Sequence, residues 1–431
     1  MQCKMDVLNR HPSWRQSANR VLERCEQLAQ CSDSRIGLTR TFLSPAMDEA
    51  HEMVVGWMRE AALTPHVDEM GNLIGHYPAN ETNANGKKWL FGSHLDTVPN
   101  AGKYDGALGV LLAIEVISQL QGQPLPFAIE VIGFSEEEGV RFRTPYLGSR
   151  AIAGTFDPNL LSLLDHNGVS MAQALRHFGL APEGWEHARY QSDSILGYLE
   201  AHIEQGPLLE TLDAPLGIVT DIVGQSRLQV RFKGQSGHAG TQPMNLRRDA
   251  LTAASEWVLA VESLGGATEG LVATVGSLDV GPNTPNVVAG ETVCSLDVRH
   301  PNDSARESAV EKLLATASDI ATRRNINFEI LARSSQKAVP MDTQLREQLQ
   351  AACDGLSVNA PEMVSGAGHD AAIMAMLCPC AMLFLRTPGG ASHCPEEAVD
   401  LDDVALALEA MHSFLLSLSP ETGELIESPT F

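Results

Sequence analysis

Five side chains in this sequence could together hold a metal: His94, Asp105, Glu138, His202 and His393. Imidazole and carboxylate ligands drawn from separate segments suit zinc or manganese better than calcium, which takes oxygen ligands. His94 lies in Gly92–Ser93–His94–Leu95–Asp96–Thr97–Val98. Asp96, two residues on, is placed to hold the far nitrogen of that ring through its carboxylate. Asp105 follows, just before Gly106 and an apolar run; taken alone it reads as the N-cap of a helix. A third segment, Phe134–Ser135–Glu136–Glu137–Glu138–Gly139, sets three carboxylates in a row. Such a run usually marks a solvated loop, but this one follows an apolar stretch. Buried together, the carboxylates repel one another, and at least one pKa rises unless a cation is present. One carboxylate on a metal and its neighbour moving a proton would relieve that repulsion. His202 stands in Glu200–Ala201–His202–Ile203–Glu204–Gln205–Gly206, and His393 in Gly389–Gly390–Ala391–Ser392–His393–Cys394–Pro395. Each histidine alone reads as structural.

Those residues need elements to carry them. Trp89–Leu90–Phe91 reads as a short buried strand, and His94 follows it at its carboxyl end. Leu108 to Leu120 reads as a helix, and Phe127 to Phe134 as a second strand ending at the glutamates. The β–α–β order predicts an α/β domain, a doubly wound and mostly parallel sheet with helices on both faces, whose sites lie at the carboxyl ends of the strands. The first 60 residues read as helical. The middle of the chain changes pattern. Leu228, Val230 and Phe232 alternate; Asp249 to Ser263 is a helix; Val272 to Val280 and Thr292 to Val298 are strands; Ala305 to Arg323 is a helix; Ile326, Phe328 and Ile330 alternate again. This β–α–β–β–α–β order predicts an inserted ferredoxin-like (split βαβ) domain. The expected boundaries are 1–220 and 335–431 for the first domain and 221–334 for the insertion, with a closing amphipathic helix from Asp402 to Leu418.

A chain of 431 residues with 44% hydrophobic and 19% charged residues is long enough for two cores. Its net charge of -24 repels phosphate backbones and anionic lipid, so neither nucleic acid nor a membrane is an expected partner. Any anion it binds must be caught by local cations. Met1 to Trp14 shows no signal-peptide h-region, and the apolar run Ala107 to Ile117 is too short to span a bilayer. The 8 cysteines form no CxxC pair and read as free thiols in a reducing cytoplasm, which disfavours a zinc-thiolate site.

The motifs continue in order along the chain: His94–Leu95–Asp96–Thr97–Val98, then Glu137–Glu138–Gly139–Val140–Arg141–Phe142, then His202–Ile203–Glu204–Gln205–Gly206. Beyond them come His238–Ala239–Gly240–Thr241, Asn286–Val287–Val288–Ala289–Gly290, Asp297–Val298–Arg299–His300, Ser365–Gly366–Ala367–Gly368–His369–Asp370 and Ser392–His393–Cys394–Pro395–Glu396–Glu397. From about Gly37 to Leu418 the chain resembles the aminoacylase and carboxypeptidase group of di-metal hydrolases, within it the hydantoinase/carbamoylase branch.

The resemblance implies two divalent ions per subunit, zinc or manganese, with cobalt or nickel also accepted. Asp105 would bridge them, His94 and His202 would complete one site, and Glu138 and His393 the other. Glu137 would be the general base. The inserted domain would be a lid that also forms a homodimer, with His238 stabilising an oxyanion in the partner's site. Arg299, with Asn286, would bind a substrate carboxylate; from its residue type alone Arg299 reads equally as a surface ion pair. Gln205, Gly389 and Gly390 would line the pocket, with His369 and Asp370 supporting it from behind. The implied reaction is hydrolysis of a linear C–N bond of a ureido group in a small carboxylate. The segments Glu138 to Phe142 and Gly148 to Arg150 look closer to the members that act on allantoate. N-carbamoyl-L-amino acids and β-ureidopropionate are the alternatives. A peptidase or aminoacylase is more remote, because His202 stands where those relatives place a carboxylate. A binding protein without catalysis fits poorly with a complete ligand set and Glu137. Cys394 departs from the residues expected after the ligand histidine.

Overall fold

The structure, a computed structural model, describes residues 12–81 and 86–418; Cys3 and most of the Met1 to Trp14 segment lie outside them. The chain forms two compact units, Met1–Thr220 with Met341–Met363 and Gly368–Phe431, and Asp221–Pro340 with Val364–Ala367.

The larger unit is built on a mixed sheet. Its strands run in the order Thr64–Val67, Leu73–Tyr77, Ala128–Phe134, Lys88–His94, Ile195–Ile203, Cys380–Leu385 and Leu216–Ile222. The four from Ala128–Phe134 to Cys380–Leu385 are parallel to their neighbours, while the pairings on either side are antiparallel. Ala128–Phe134, Ile195–Ile203 and Cys380–Leu385 are buried at every position, the polar Glu130, Glu200 and His202 included. Phe91, Val131, Leu199 and Leu383 of this sheet share a core with Leu111 of the helix Ala107–Ser118 and Phe414 of the helix Leu401–Ser417. The α/β architecture with a largely parallel centre is thus present.

The expected helical start is interrupted. Helices cover Pro12–Leu28 and Pro45–Glu60, and the chain between them is irregular. The second helix begins where Ser44 accepts the N–H of Met47 and Pro45 opens the first turn. The irregular stretch is fixed by Arg40, a buried arginine that donates from Nε to the Leu95 carbonyl at 2.7 Å and from Nη1 to the Leu28 carbonyl at 2.9 Å. Its backbone N–H donates to Thr97 Oγ1 at 2.9 Å. The loop just after His94 is therefore held from both backbone and side chain.

The smaller unit is an antiparallel sheet with two helices, Ala250–Ala267 and Asp303–Arg323. Its strands lie in the order Leu278–Gly281, Glu291–His300, Gly224–Lys233, Asn327–Gln336, and Val272–Thr274 also pairs with Glu291–His300. Alternate residues Leu228, Val230, Phe232, Cys294, Leu296 and Val298 face a core with Trp257 and Leu313. The single strand expected over Val272 to Val280 is broken, because the N–H groups of Gly276 and Ser277 donate to Ser295 Oγ at 3.2 and 2.9 Å instead of to a strand neighbour.

Candidate metal centre and active site

His94 ends its strand, His202 lies one residue before the end of the parallel neighbour Ile195–Ile203, and the glutamates follow Ala128–Phe134. Three candidate ligands are thus delivered by the same edge of one sheet. Both histidine rings are oriented from behind. His94 Nδ1 lies 2.9 Å from the Asp96 carbonyl and His202 Nδ1 lies 2.9 Å from the Ile203 carbonyl. A carbonyl can only accept, so each Nδ1 carries the proton and each Nε2 presents its lone pair. The two rings stack with centroids 5.7 Å apart.

Asp105 lies between two groups of ligands. Its Oδ1 is 3.2 Å from His94 Nε2 and 3.3 Å from His202 Nε2. Its Oδ2 is 3.3 Å from His393 Nε2, which in turn is 3.5 Å from Glu138 Oε1. Three groups of potential ligand atoms each fit within 4.8 Å: His94, Asp105 and His202; His94, Glu137 and Glu138; Asp105, Glu138 and His393. Glu138 Oε1 is buried without a hydrogen-bond donor. An orphaned carboxylate oxygen beside facing imidazole lone pairs is what a divalent cation satisfies, so the residues present fit a bound metal. His94 and His202 are buried while the His393 side chain is 48% exposed, so the site is deep on one side and open on the other.

The loops that hold these groups are tightly constrained. Gly106 has φ 65°, and a Cβ there would come within 2.4 Å of the His94 ring. Glu136, Gln205 and His393 also adopt positive φ, at 52°, 60° and 57°, which is costly for residues with a side chain. Glu397 accepts the N–H groups of Tyr104 and Asp105 at 2.8 and 3.0 Å and so fixes the Asp105 loop. The sequence reading placed Glu397 in a motif without a role for it.

The three consecutive glutamates separate. Glu136 turns away, its Oε1 accepting the N–H groups of Arg141 and Phe142 at 2.8 and 3.0 Å. Burial pushes its carboxyl up to about 8, with Asp96 adding repulsion. Glu137 is buried beside the ligands. Burial raises its carboxyl well above the usual range; His94 opposes the rise, and Glu138, Asp370 and Asp96 reinforce it. Burial likewise raises Glu138 to about 7. Burial would raise Asp105 too, but the adjoining imidazoles of His202, His393 and His94 hold it well below the usual range.

Asp96 works differently from the expectation. Its carbonyl, not its carboxylate, meets His94 Nδ1; the carboxylate Oδ1 is 3.8 Å from that nitrogen. The carboxylate instead accepts the N–H groups of Glu137 and Glu138, each at 3.1 Å. The backbone after Asp96 folds its carbonyl inward, which frees the side chain for the neighbouring loop.

Gln205 Nε2 donates to Asp105 Oδ2 at 2.7 Å and is 3.4 Å from His393 Nε2, while its Oε1 is buried without a partner. Gly389 and Gly390 both have positive φ, and a Cβ on Gly390 would meet the Pro207 nitrogen at 2.9 Å. The His369 ring packs edge-on against His202, with centroids 4.6 Å apart. Asp370 accepts from Ser149 Oγ at 2.6 Å. Buried Glu200, which the sequence reading left without a role, accepts from Ser93 Oγ at 3.0 Å and from the Ala371 N–H at 2.8 Å, and so ties both histidine strands to the His369–Asp370 turn.

His238, Asn286 and Arg299 belong to the smaller unit. His238 is exposed and pairs with Val287 in a two-residue ladder; the Ala239 N–H donates to the Asn286 carbonyl at 2.9 Å. His238 Nδ1 accepts the Gly240 N–H at 3.1 Å, so its Nε2 carries the proton and faces outward as a donor. Arg299 is held by Asp297 and by the Gly366 carbonyl. Among the described residues no helix is long and apolar enough to cross a membrane.

Residues 90–417 match the model of peptidase family M20/M25/M40. A probable allantoate deiminase from Oryza sativa subsp. japonica is 40% identical over 431 residues, covering 91% of this chain and 87% of that protein. An N-carbamoyl-L-amino-acid amidohydrolase from Pseudomonas sp. (strain NS671) is 35% identical over 407 residues, covering 93% of this chain and 98% of that protein. The crystal structure of an amidase of the hydantoinase/carbamoylase family from Burkholderia multivorans superposes with a TM-score of 0.86 at 30% identity, covering 93% of this chain and 97% of that one. With these matches along most of its length, this chain belongs to peptidase family M20/M25/M40 and is a hydrolase of C–N bonds other than peptide bonds.

Proposed function

We propose that this protein hydrolyses the ureido C–N bond of a small carboxylate, with allantoate as substrate. The observation that carries the proposal is the division of Asp105, one oxygen toward His94 and His202 and the other toward His393, with buried Glu137 beside them. His94 and His202 would hold one divalent ion, Glu138 and His393 the second, and Asp105 both. Zinc or manganese suits these ligands, and cobalt or nickel would be accepted. When bound, the ions would acidify a water molecule and polarise the substrate carbonyl.

The chain's own groups do the rest. Glu137, buried beside the proposed ligands, would as its carboxylate take a proton from the attacking water and then deliver it to the leaving nitrogen. Asp96 fixes the backbone from which Glu137 projects. Gln205 orients Asp105 and offers its free Oε1 to a ureido N–H. His238 would donate its outward Nε2–H to the carbonyl oxygen as negative charge develops there. Arg299 and Asn286 would bind the substrate carboxylate, and Gly389 and Gly390 would let the substrate approach the backbone. The smaller unit would act as the lid, and its sheet edges would pair two chains into a homodimer with His238 serving the partner's site. Among the described residues the seven cysteines are all free, which fits a reducing cytoplasm.

An N-carbamoyl-L-amino acid is the second reading, supported by the Pseudomonas relative matched along 98% of its length. The test is kcat/KM for allantoate, N-carbamoyl-L-amino acids and N-carbamoyl-β-alanine on one metal-loaded preparation. Allantoate should give the highest value. An inert allantoate beside an active carbamoyl amino acid would overturn the first reading in favour of the second.

A further inference from the structure

Asp297 and Arg299 stand two residues apart on the strand Glu291–His300, so their side chains leave the same face of the sheet. In the antiparallel register Asp297 lies opposite Arg227, and Arg299 lies opposite Gln225. All four side chains meet. Asp297 Oδ1 accepts Arg299 Nε at 2.8 Å, and Oδ2 accepts Arg299 Nη2 at 3.2 Å. Gln225 Nε2 and Arg227 Nε also donate to Oδ2, at 2.9 and 3.1 Å. Arg299 Nη1 donates to the Gly366 carbonyl at 2.7 Å.

A guanidinium has five N–H donors. Asp297 occupies the side-on pair, Nε and Nη2, and the carbonyl occupies one donor of Nη1. Among the described residues, one N–H on each terminal nitrogen stays uncommitted. The fork that usually grips a carboxylate is therefore filled from within the protein, and an incoming anion meets only the terminal nitrogens. Asp297 is not free to swing away with Arg299, since Gln225 and Arg227 hold it independently. The cluster keeps one net positive charge, because two arginines face one aspartate. In a chain of net charge -24, such local excess is what an anionic substrate needs.

We propose that Asp297 is a positioning residue: it locks the side-on edge of Arg299 so that the terminal nitrogens, and only those, receive the substrate carboxylate. This rests on the reading of Arg299 as the carboxylate anchor. Without Asp297 the arginine would keep its charge but sample several rotamers, and binding would have to order them again.

The test is steady-state kinetics of metal-loaded Asp297→Asn, Asp297→Ser, Arg299→Ala and the Asp297→Asn/Arg299→Ala double variant. Two substrates are compared: the carboxylate that turns over in the panel above, and the same molecule with a carboxamide in its place. Asp297→Asn should raise KM for the carboxylate about tenfold, the size expected for a lost charged hydrogen bond, while kcat changes little. KM for the carboxamide should not move, and the double variant should match Arg299→Ala alone. Asp297→Ser should behave like Asp297→Asn if the first variant folds poorly. If Arg299→Ala raises KM but neither Asp297 variant does, the role of Asp297 is wrong and the anchor stands. If none of them moves KM, the reading of Arg299 itself is wrong. An equal rise for carboxylate and carboxamide would make Asp297 merely structural and overturn the proposal.

Discussion

Asp96 Oδ1 accepts the backbone N–H of Glu137 at 3.1 Å, so the residue two places beyond His94 anchors the loop that carries the proposed base. Oδ2 does the same for the next residue, Glu138. The His94 ring, by contrast, is held through the Asp96 carbonyl, which a side-chain substitution leaves in place.

Asp96→Asn should therefore separate two properties. An amide can accept only on its oxygen, so one of the two loop N–H groups loses its partner. Support of this kind is worth about 10–100-fold, and the loss should appear in kcat. Metal content, read by elemental analysis after dialysis, should stay near wild type. A variant that loses metal yet keeps its rate per bound ion would show that Asp96 serves the ligand and not the base.

Gly106→Ala tests the packing behind the same histidine. The backbone there is left-handed, and the new Cβ would sit 2.4 Å from the His94 ring. Displacing that ring should weaken metal binding by about tenfold or more. Competition with a chromophoric chelator measures it. Wild-type affinity would mean that the ring and loop shift together without cost.

How much of this was legible beforehand follows from the physics of each residue. His94 and the glutamates could be placed because the buried strands Lys88–His94 and Ala128–Phe134 are rich in apolar residues and lead to them, whereas the strand Ile195–Ile203 that carries His202 was not legible, since Glu200 and His202 interrupt its apolar pattern. The split βαβ order was legible from alternation such as Leu228, Val230 and Phe232. The break at Gly276 was not, because it depends on Ser295 from a neighbouring strand. Nor was the choice between the carbonyl and carboxylate of Asp96, which is set by the backbone rather than by residue type. The engagement of Arg299 by Asp297, Arg227 and Gln225 depends on cross-strand register, which spacing alone does not fix.

Glu130 predicts a stability change in acid, away from the metal residues. Burial would raise its carboxyl, but His76, Lys88 and Tyr190 hold it down at about 2. A folded-state pKa below the unfolded value stabilises the fold above the unfolded pKa, and that stability is lost as pH falls toward the folded value. Its contribution should be complete above about pH 5.5 and decline as pH falls from there toward 2, with a full size on the order of 3 kcal/mol. Denaturant melts of wild type and Glu130→Gln should converge as the pH is lowered through that window. A gap that stays constant from pH 6 to pH 3 would contradict the ion cluster.

The dimer proposal can be checked by complementation. His238→Ala and Glu137→Gln chains should each be nearly inactive alone. After subunit exchange, verified with differently tagged chains, a mixed dimer would contain one intact site and recover activity. No recovery would place His238 in its own chain's site or make the protein a monomer.

The most direct measurement is kcat of fully metal-loaded Glu137→Gln against wild type on the substrate chosen by the panel. Glutamine keeps the shape of the side chain and removes only its ability to take and return the proton. The account predicts a fall at the upper end of the range of about 10²–10⁴-fold for a general base, with metal content unchanged. A rate within a few-fold of wild type, at equal metal content, would contradict it.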